Sequence, residues 1–250
     1  MATSNTVEIE AERILEVTKS AGLTLRLAGS LAVQRRCPQY GFLASRNRIY
    51  QDIDFAGRMK DARNIHDILV GIGYTEDREV FVISEGARAI FNNPGSGLHV
   101  DIFYDKLDFC HIIPLDGRLE TDTPTLPLAE LLLGKMQIVK VSEKDLIDTI
   151  VLLLEHPLGE ADAETVNVGQ IVRLCAGNWG LWRTTTMNLD KVRRLCPDYP
   201  LLGAEQRTRV VAQVEALLAR IDAEPKPFAW RLRALVGDRV KWYKDVEEVK

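Results

Sequence analysis

The chain has 250 residues, 46% of them hydrophobic, and a net charge of −4. That suits one large domain or two small ones with a real core, and it argues against a binder driven by an overall basic surface. No run approaches the roughly 18 apolar residues of a membrane span. The first residues, MATSNTVEIEAERILEV, carry early acids and no apolar leader core, so a cytoplasmic protein is expected. Cys37, Cys110, Cys175 and Cys196 are scattered without a C-x-x-C pair, which favours reduced, buried thiols over a zinc site. From Glu160 onward there are 15 Lys/Arg against 13 Asp/Glu, so the acidic excess lies in the first part of the chain.

In chain order, residues 5–20 predict a helix capped by Asn5 with Glu8. Residues 24–28 alternate like a strand and run into Gly29-Ser30. Residues 31–36 suggest a short helix, and Cys37-Pro38 and Gly41 mark a loop to about Arg48. Residues 50–56 read as a strand, and 61–72 as a helix with Gly73 at its end. Residues 88–92 and 98–104 flank Asn93-Pro94-Gly95-Ser96 and predict a β-hairpin. After Pro127 the pattern turns helical. Residues 128–141 form an amphipathic helix, Ser142 with Asp145 opens a second over 143–155, and further helices follow at about 162–175, 179–195, 203–222 and 227–240. The expected outline is an α/β (α+β) domain over 1–125, a small mixed sheet flanked by helices, and an all-helical domain over 126–250.

Three carboxylates stand out. Asp52 and Asp54 sit at i and i+2 of one strand and share a face, with Ile53 and Phe55 on the other. Two acids so placed suit a divalent cation with hard oxygen ligands, and without one their repulsion is costly. Asp101 interrupts the apolar run Leu98-His99-Val100-Asp101-Ile102-Phe103, and His99 shares its face. If the two strands are neighbours, all three acids converge on one or two metals. Gly29-Ser30 is separated from Asp52 by 21 residues and sits at a strand-to-helix turn where free N–H groups can meet a phosphate. Lys135 falls in the apolar stripe 128, 131, 132, 135, 138 and 139, so it either snorkels or meets an anion. Arg35, Arg36, Arg46 and Arg48 gather around the loop, with Arg48 nearest the acids. Lys144, Asp145 and Asp148 are assigned to the polar side of their helix. His66, His111 and His156 have no partner spacing, and the tryptophans interleaved with Arg183, Arg231, Arg233 and Lys241 are read as helix packing.

A strand ending in Gly-Ser, a short helix, a D-h-D-h strand and a later single-acid strand resemble the DNA polymerase beta-like nucleotidyltransferase superfamily. The nearer likeness is to the minimal and abortive-infection (AbiE toxin-like) members. Arg48, four residues before Asp52, resembles the arginine ahead of their D-h-D. Lys135 and Lys144-Asp145-x-x-Asp148 resemble their downstream helical lysine and Lys-Asp-x-x-Asp motif. The likeness covers residues 23–155.

The resemblance implies a nucleotidyltransferase fold that transfers a nucleoside monophosphate from an NTP to an acceptor hydroxyl and releases pyrophosphate. Asp52, Asp54 and Asp101 then serve as catalytic residues and ligands of Mg²⁺ or Mn²⁺. Gly29, Ser30, Arg48 and Lys135 hold the nucleotide. The acceptor is a tRNA, a protein or a small molecule, and a toxin role implies an antitoxin partner. Two other readings stand beside this one. One is a catalytically silent nucleotide- or protein-binding module. The other is a metal-dependent phosphohydrolase, for which only His99 is a suitable extra ligand.

Overall fold

Alternating apolar and polar residues build a five-stranded sheet in the computed structural model, which describes residues 4–45 and 52–246. Its strands are β1 (Leu25–Leu27), β2 (Asp52–Gly57), β3 (Thr75–Asp77), β4 (Arg88–Asn92) and β5 (His99–Tyr104), in spatial order β1-β2-β5-β4-β3. Strands β2 and β5 are parallel and all other neighbours antiparallel, so the sheet is mixed. The expected hairpin is present as β4–β5. Asn93 Oδ1 closes its turn by accepting from the N–H groups of Gly95 and Ser96.

Helices α1 (Ser4–Ser20), α2 (Gly29–Arg36), α3 (Gly41–Ser45), α4 (Ala62–Gly71) and α5 (Arg78–Ile83) surround the sheet. The face bearing Ile53, Phe55, Val100 and Ile102 is buried on the side of α1 and α4, where Ile65 of α4 reaches Gly57. Burying each such large side chain contributes about 1.5–3 kcal/mol. The other face carries the acids and lies toward α2 and the later helices.

Several boundaries differ from the expectation. α1 runs from Ser4, and the side chain of Asn5, the expected cap, lies outside the described residues. The loop after Cys37 contains α3. β3 and α5, which were not anticipated, follow α4; Asp77 caps α5 by accepting from the N–H groups of Glu79 and Val80. A second hairpin, β6 (Lys106–Asp108) with β7 (Ile112–Pro114), was also missed. Tyr50, Arg46 and Arg48 lie outside the described residues.

The later chain holds α6 (Leu128–Met136), α7 (Glu143–Glu155), α8 (Val168–Gly177), α9 (Trp179–Leu195), α10 (Ala204–Ala223) and α11 (Phe228–Val236). α6 ends five residues sooner than its apolar pattern, because the Asn188 amide donates to the carbonyls of Met136 and Ile138. This half is not wholly helical. β8 (Leu158–Gly159) pairs in parallel with β9 (Val166–Asn167), and α8 starts only after Asn167 caps it. Ser142 caps α7, its hydroxyl accepting from the N–H of Asp145, as expected. Residues 150–154 of α7 are all buried, since α2, α3, α6, α9 and α10 pack around this helix. Among the described residues, no helix is long and apolar enough to cross a membrane.

Candidate active site

The parallel register of β2 and β5 sets Asp52 beside His99 and Asp54 beside Asp101. The three expected acids therefore share one sheet face, as their spacing requires. Asp52 is exposed and Asp54 half-buried. Gly29 stands at the turn from β1 into α2 with φ +62°, and a Cβ added there would lie 1.9 Å from Asp54 Oδ2. Only glycine combines that backbone angle with so close an approach. The Ala28 N–H also donates to the Asp54 carbonyl at 2.8 Å, tying the turn to the acidic strand.

Lys135 reaches the same place from α6. Its ammonium donates to Ser30 Oγ at 2.9 Å and to Asp145 at 3.0 Å, and it lies 3.0 Å from Asp148 Oδ2. Ser30 in turn donates to Asp148 at 2.8 Å. Of the two options for Lys135, the structure therefore has it meeting anions rather than snorkelling. Asp148 lies on the polar side of α7, as assigned, but that side is not open to solvent there: the residue is fully buried, because α2 and α6 enclose α7. Burial alone would lower the Lys135 pKa, but Asp148 and then Asp145 hold it well above the usual lysine range. Burial pushes the Asp145 carboxyl up, and Lys135 with Ser142 more than reverses this, leaving it below the usual range.

Asp101 has its own cation, one that the sequence reading passed over. Arg88 of β4 donates through Nε to both Asp101 oxygens at 2.9 and 3.0 Å, and through Nη2 to Oδ2 at 2.5 Å. Its guanidinium also lies over the Phe103 ring, 5.4 Å from the centroid. The signal was present in the hairpin. Ile90 pairs with Asp101, so Arg88 shares that face one period away. His99, at the edge, contacts Asn92 Oδ1 through Nδ1 at 2.5 Å.

Both nearby cations are thus engaged elsewhere, and Asp54 has no hydrogen-bond donor among the described residues. Burial first, then the Asp101 charge, pushes its carboxyl up to about 7, with Lys135 opposing and Asp52 adding to the rise. Burial also raises the Asp101 carboxyl, against the pull of Arg88. Among the described residues no three His, Cys, Asp or Glu side chains form a ready-made metal cage, in keeping with Asp101 being turned to Arg88. The donor chemistry nonetheless fits a divalent cation. Asp52 and Asp54 offer hard oxygens on a rigid strand, and Asp54 is half-buried beside two further carboxylates.

The acids open onto a cavity of about 570 Å³. Gly29, Lys135 and Asp145 border the acidic end, while Phe103, Phe109 and Ile138 form an apolar wall. Lys144 lies outside this lining. The arginines expected near the site divide: Arg35 pairs with Glu12, and Arg36 with Asp122 and Glu164. Arg46 and Arg48 fall outside the described residues. His111 bonds Thr184, and burial pushes it down to about 4, so it is neutral and structural. His156 bonds two backbone carbonyls, and all four cysteines are free and buried. Trp179, Trp182, Trp230 and Trp242 pack ring to ring, with Arg233 over Trp179 at 4.3 Å, as expected of helix packing. No family model and no curated protein matches the chain.

Proposed function

We propose that this protein is a metal-dependent nucleotidyltransferase. It moves a nucleoside monophosphate from an NTP to an acceptor hydroxyl and releases pyrophosphate. One observation carries this reading: Asp54 is a half-buried carboxylate wedged against Gly29, flanked by Asp52 and Asp101, while the adjacent Arg88 and Lys135 are spent on other acids. Such a site is short of positive charge in a way that a divalent cation relieves.

In this reading Asp52 and Asp54 hold Mg²⁺ or Mn²⁺, which when bound activates the attacking oxygen and neutralises charge on the triphosphate. Gly29 permits the phosphates to approach the start of α2, and Ser30 and Lys135 meet them from one side. Asp145 and Asp148 keep Lys135 charged and aimed at Ser30. Asp101 stands beside Asp54, to complete the cation's coordination or to take the acceptor proton. The apolar wall of Phe103, Phe109 and Ile138 shields one side of the cavity from water.

A second reading is a catalytically silent nucleotide- or protein-binding module. The bidentate grip of Arg88 on Asp101 favours it, since that acid is then closed to metal and proton. One experiment separates the two. The purified chain is incubated with Mg²⁺, each labelled NTP and total tRNA or cell lysate, beside an Asp52→Ala/Asp54→Ala control. Label transfer that is lost in the control is expected. Nucleotide binding without transfer, equal in both proteins, would overturn the enzyme and leave the module.

A further inference from the structure

We propose that Arg88 holds Asp101 in reserve, so that the resting site takes one divalent cation, through Asp52 and Asp54. A second cation enters only when Arg88 releases Asp101. The inference rests on the metal-dependent reading above.

Charge and geometry both point this way. Around the β2–β5 pair the face carries three carboxylates and, within bonding reach, one guanidinium, so two negative charges remain uncompensated there; Asp77, on the same face but beyond β4 on β3, is occupied by the N–H groups of Glu79 and Val80. One divalent ion neutralises these. A second would meet a site already balanced, and would have to displace a cation to find a ligand. Both Asp101 oxygens are engaged by the Arg88 fork. The guanidinium itself is fixed, by the register of β4 against β5 from below and by the Phe103 ring beside it. Lys135 cannot substitute for Arg88, because Ser30, Asp145 and Asp148 already share it. Arg88 lines the same cavity as the acids. Once released, its planar fork matches the oxygens of a phosphate as well as it matches a carboxylate.

The test counts ions rather than turnover. Mn²⁺ is titrated into the full chain, free Mn²⁺ is read by electron paramagnetic resonance, and the bound number per chain is fitted. Wild type is expected to bind one ion, and Arg88→Met two. The double variant Arg88→Met/Asp101→Asn removes both charges of the pair together, so it should fold even where the single variant does not. It is expected to keep one ion with affinity within about threefold of wild type. Two ions of similar affinity in wild type would overturn the proposal. So would a single ion in a folded Arg88→Met protein. A loss of more than about tenfold in the double variant would also overturn it, since Asp101 would then be a ligand of the first ion. The underlying metal reading fails separately: wild type would then bind no ion, or Asp54→Asn would bind it as tightly as wild type does.

Discussion

Replacing Gly29 by alanine adds one methyl group at the tightest point of the site. The new Cβ would stand 1.9 Å from Asp54 Oδ2, 2.8 Å from its Cγ and 3.0 Å from its Cβ. The carboxylate must rotate away or the α2 turn must shift. Holding an L-residue in the left-handed region costs about 1–2 kcal/mol. Displacing a packed side chain adds about 1–3 kcal/mol, and the stiffer unfolded chain adds about 0.4–1 kcal/mol of its own to the balance in favour of Ala. The expected loss is about 2–4 kcal/mol, read from urea unfolding. A double-variant cycle divides the two costs. In an Asp54→Ala background the Cγ and Oδ2 atoms are gone and only the 3.0 Å approach to Cβ remains, so the Gly29→Ala penalty should fall to about 0.5–1.5 kcal/mol, the backbone cost less the unfolded-chain gain. Mn²⁺ binding should weaken in Gly29→Ala, because the carboxylate that moves is a proposed ligand. A loss below about 0.5 kcal/mol, or an equal loss in both backgrounds, would refute the contact.

Three further outcomes follow from the same geometry. Lys135→Met strands the fully buried Asp148 with Asp145 beside it, and should cost about 3–5 kcal/mol in urea unfolding; a change under about 1 kcal/mol would contradict the ion cluster. Arg118→Met leaves Glu130 buried, its two bonds from Arg118 at 2.7 and 3.0 Å lost. The melting temperature should fall by about 2–4 °C per kcal/mol of a similar penalty, which differential scanning calorimetry reads. The Asp54 carboxyl is pushed from an ordinary 3.8 up to about 7 in the folded chain. Folded protein then binds more protons than unfolded between those values, so the stability tied to this group falls as pH rises from about 4 to about 7. Asp54→Asn and saturating Mn²⁺ should each flatten that slope, the ion by holding the carboxylate charged. Wild-type and Asp54→Asn curves that stay parallel from about pH 4 to about pH 7.5 would contradict the shift.

Features written in short-range patterns were legible before the fold was known. Asp52 and Asp54 share a face because a strand repeats every two residues, and Lys135 interrupts a helical stripe. Ser142 marks the start of α7, and the start of α9 at Trp179 matched its pattern. What escaped depended on distant partners. α6 stops at Met136 because an amide from α9 binds its last carbonyls. β3 is a three-residue strand whose place is set by β4, not by its own residues. The polar side of α7 was legible, but not that Asp148 on it is buried, because that depends on the five other helices packed around α7.

Arg88 and Lys135 show why the pairing of charges, rather than their presence, decides what a site can hold. Either cation, placed against Asp54, would neutralise it and remove the need for a metal. The fold instead directs each away. Register against β5 brings Arg88 to Asp101, and the approach of α6 to α7 brings Lys135 to Asp145 and Asp148. The turn at Gly29 then presses the chain against Asp54, leaving room for no side chain between them. Composition could not reveal this, because an even mixture of acids and bases allows a balanced site or a starved one. The difference lies in which strand neighbours which, and here the strand order β1-β2-β5-β4 sets the arginine one strand beyond the acid it binds and two strands from Asp54.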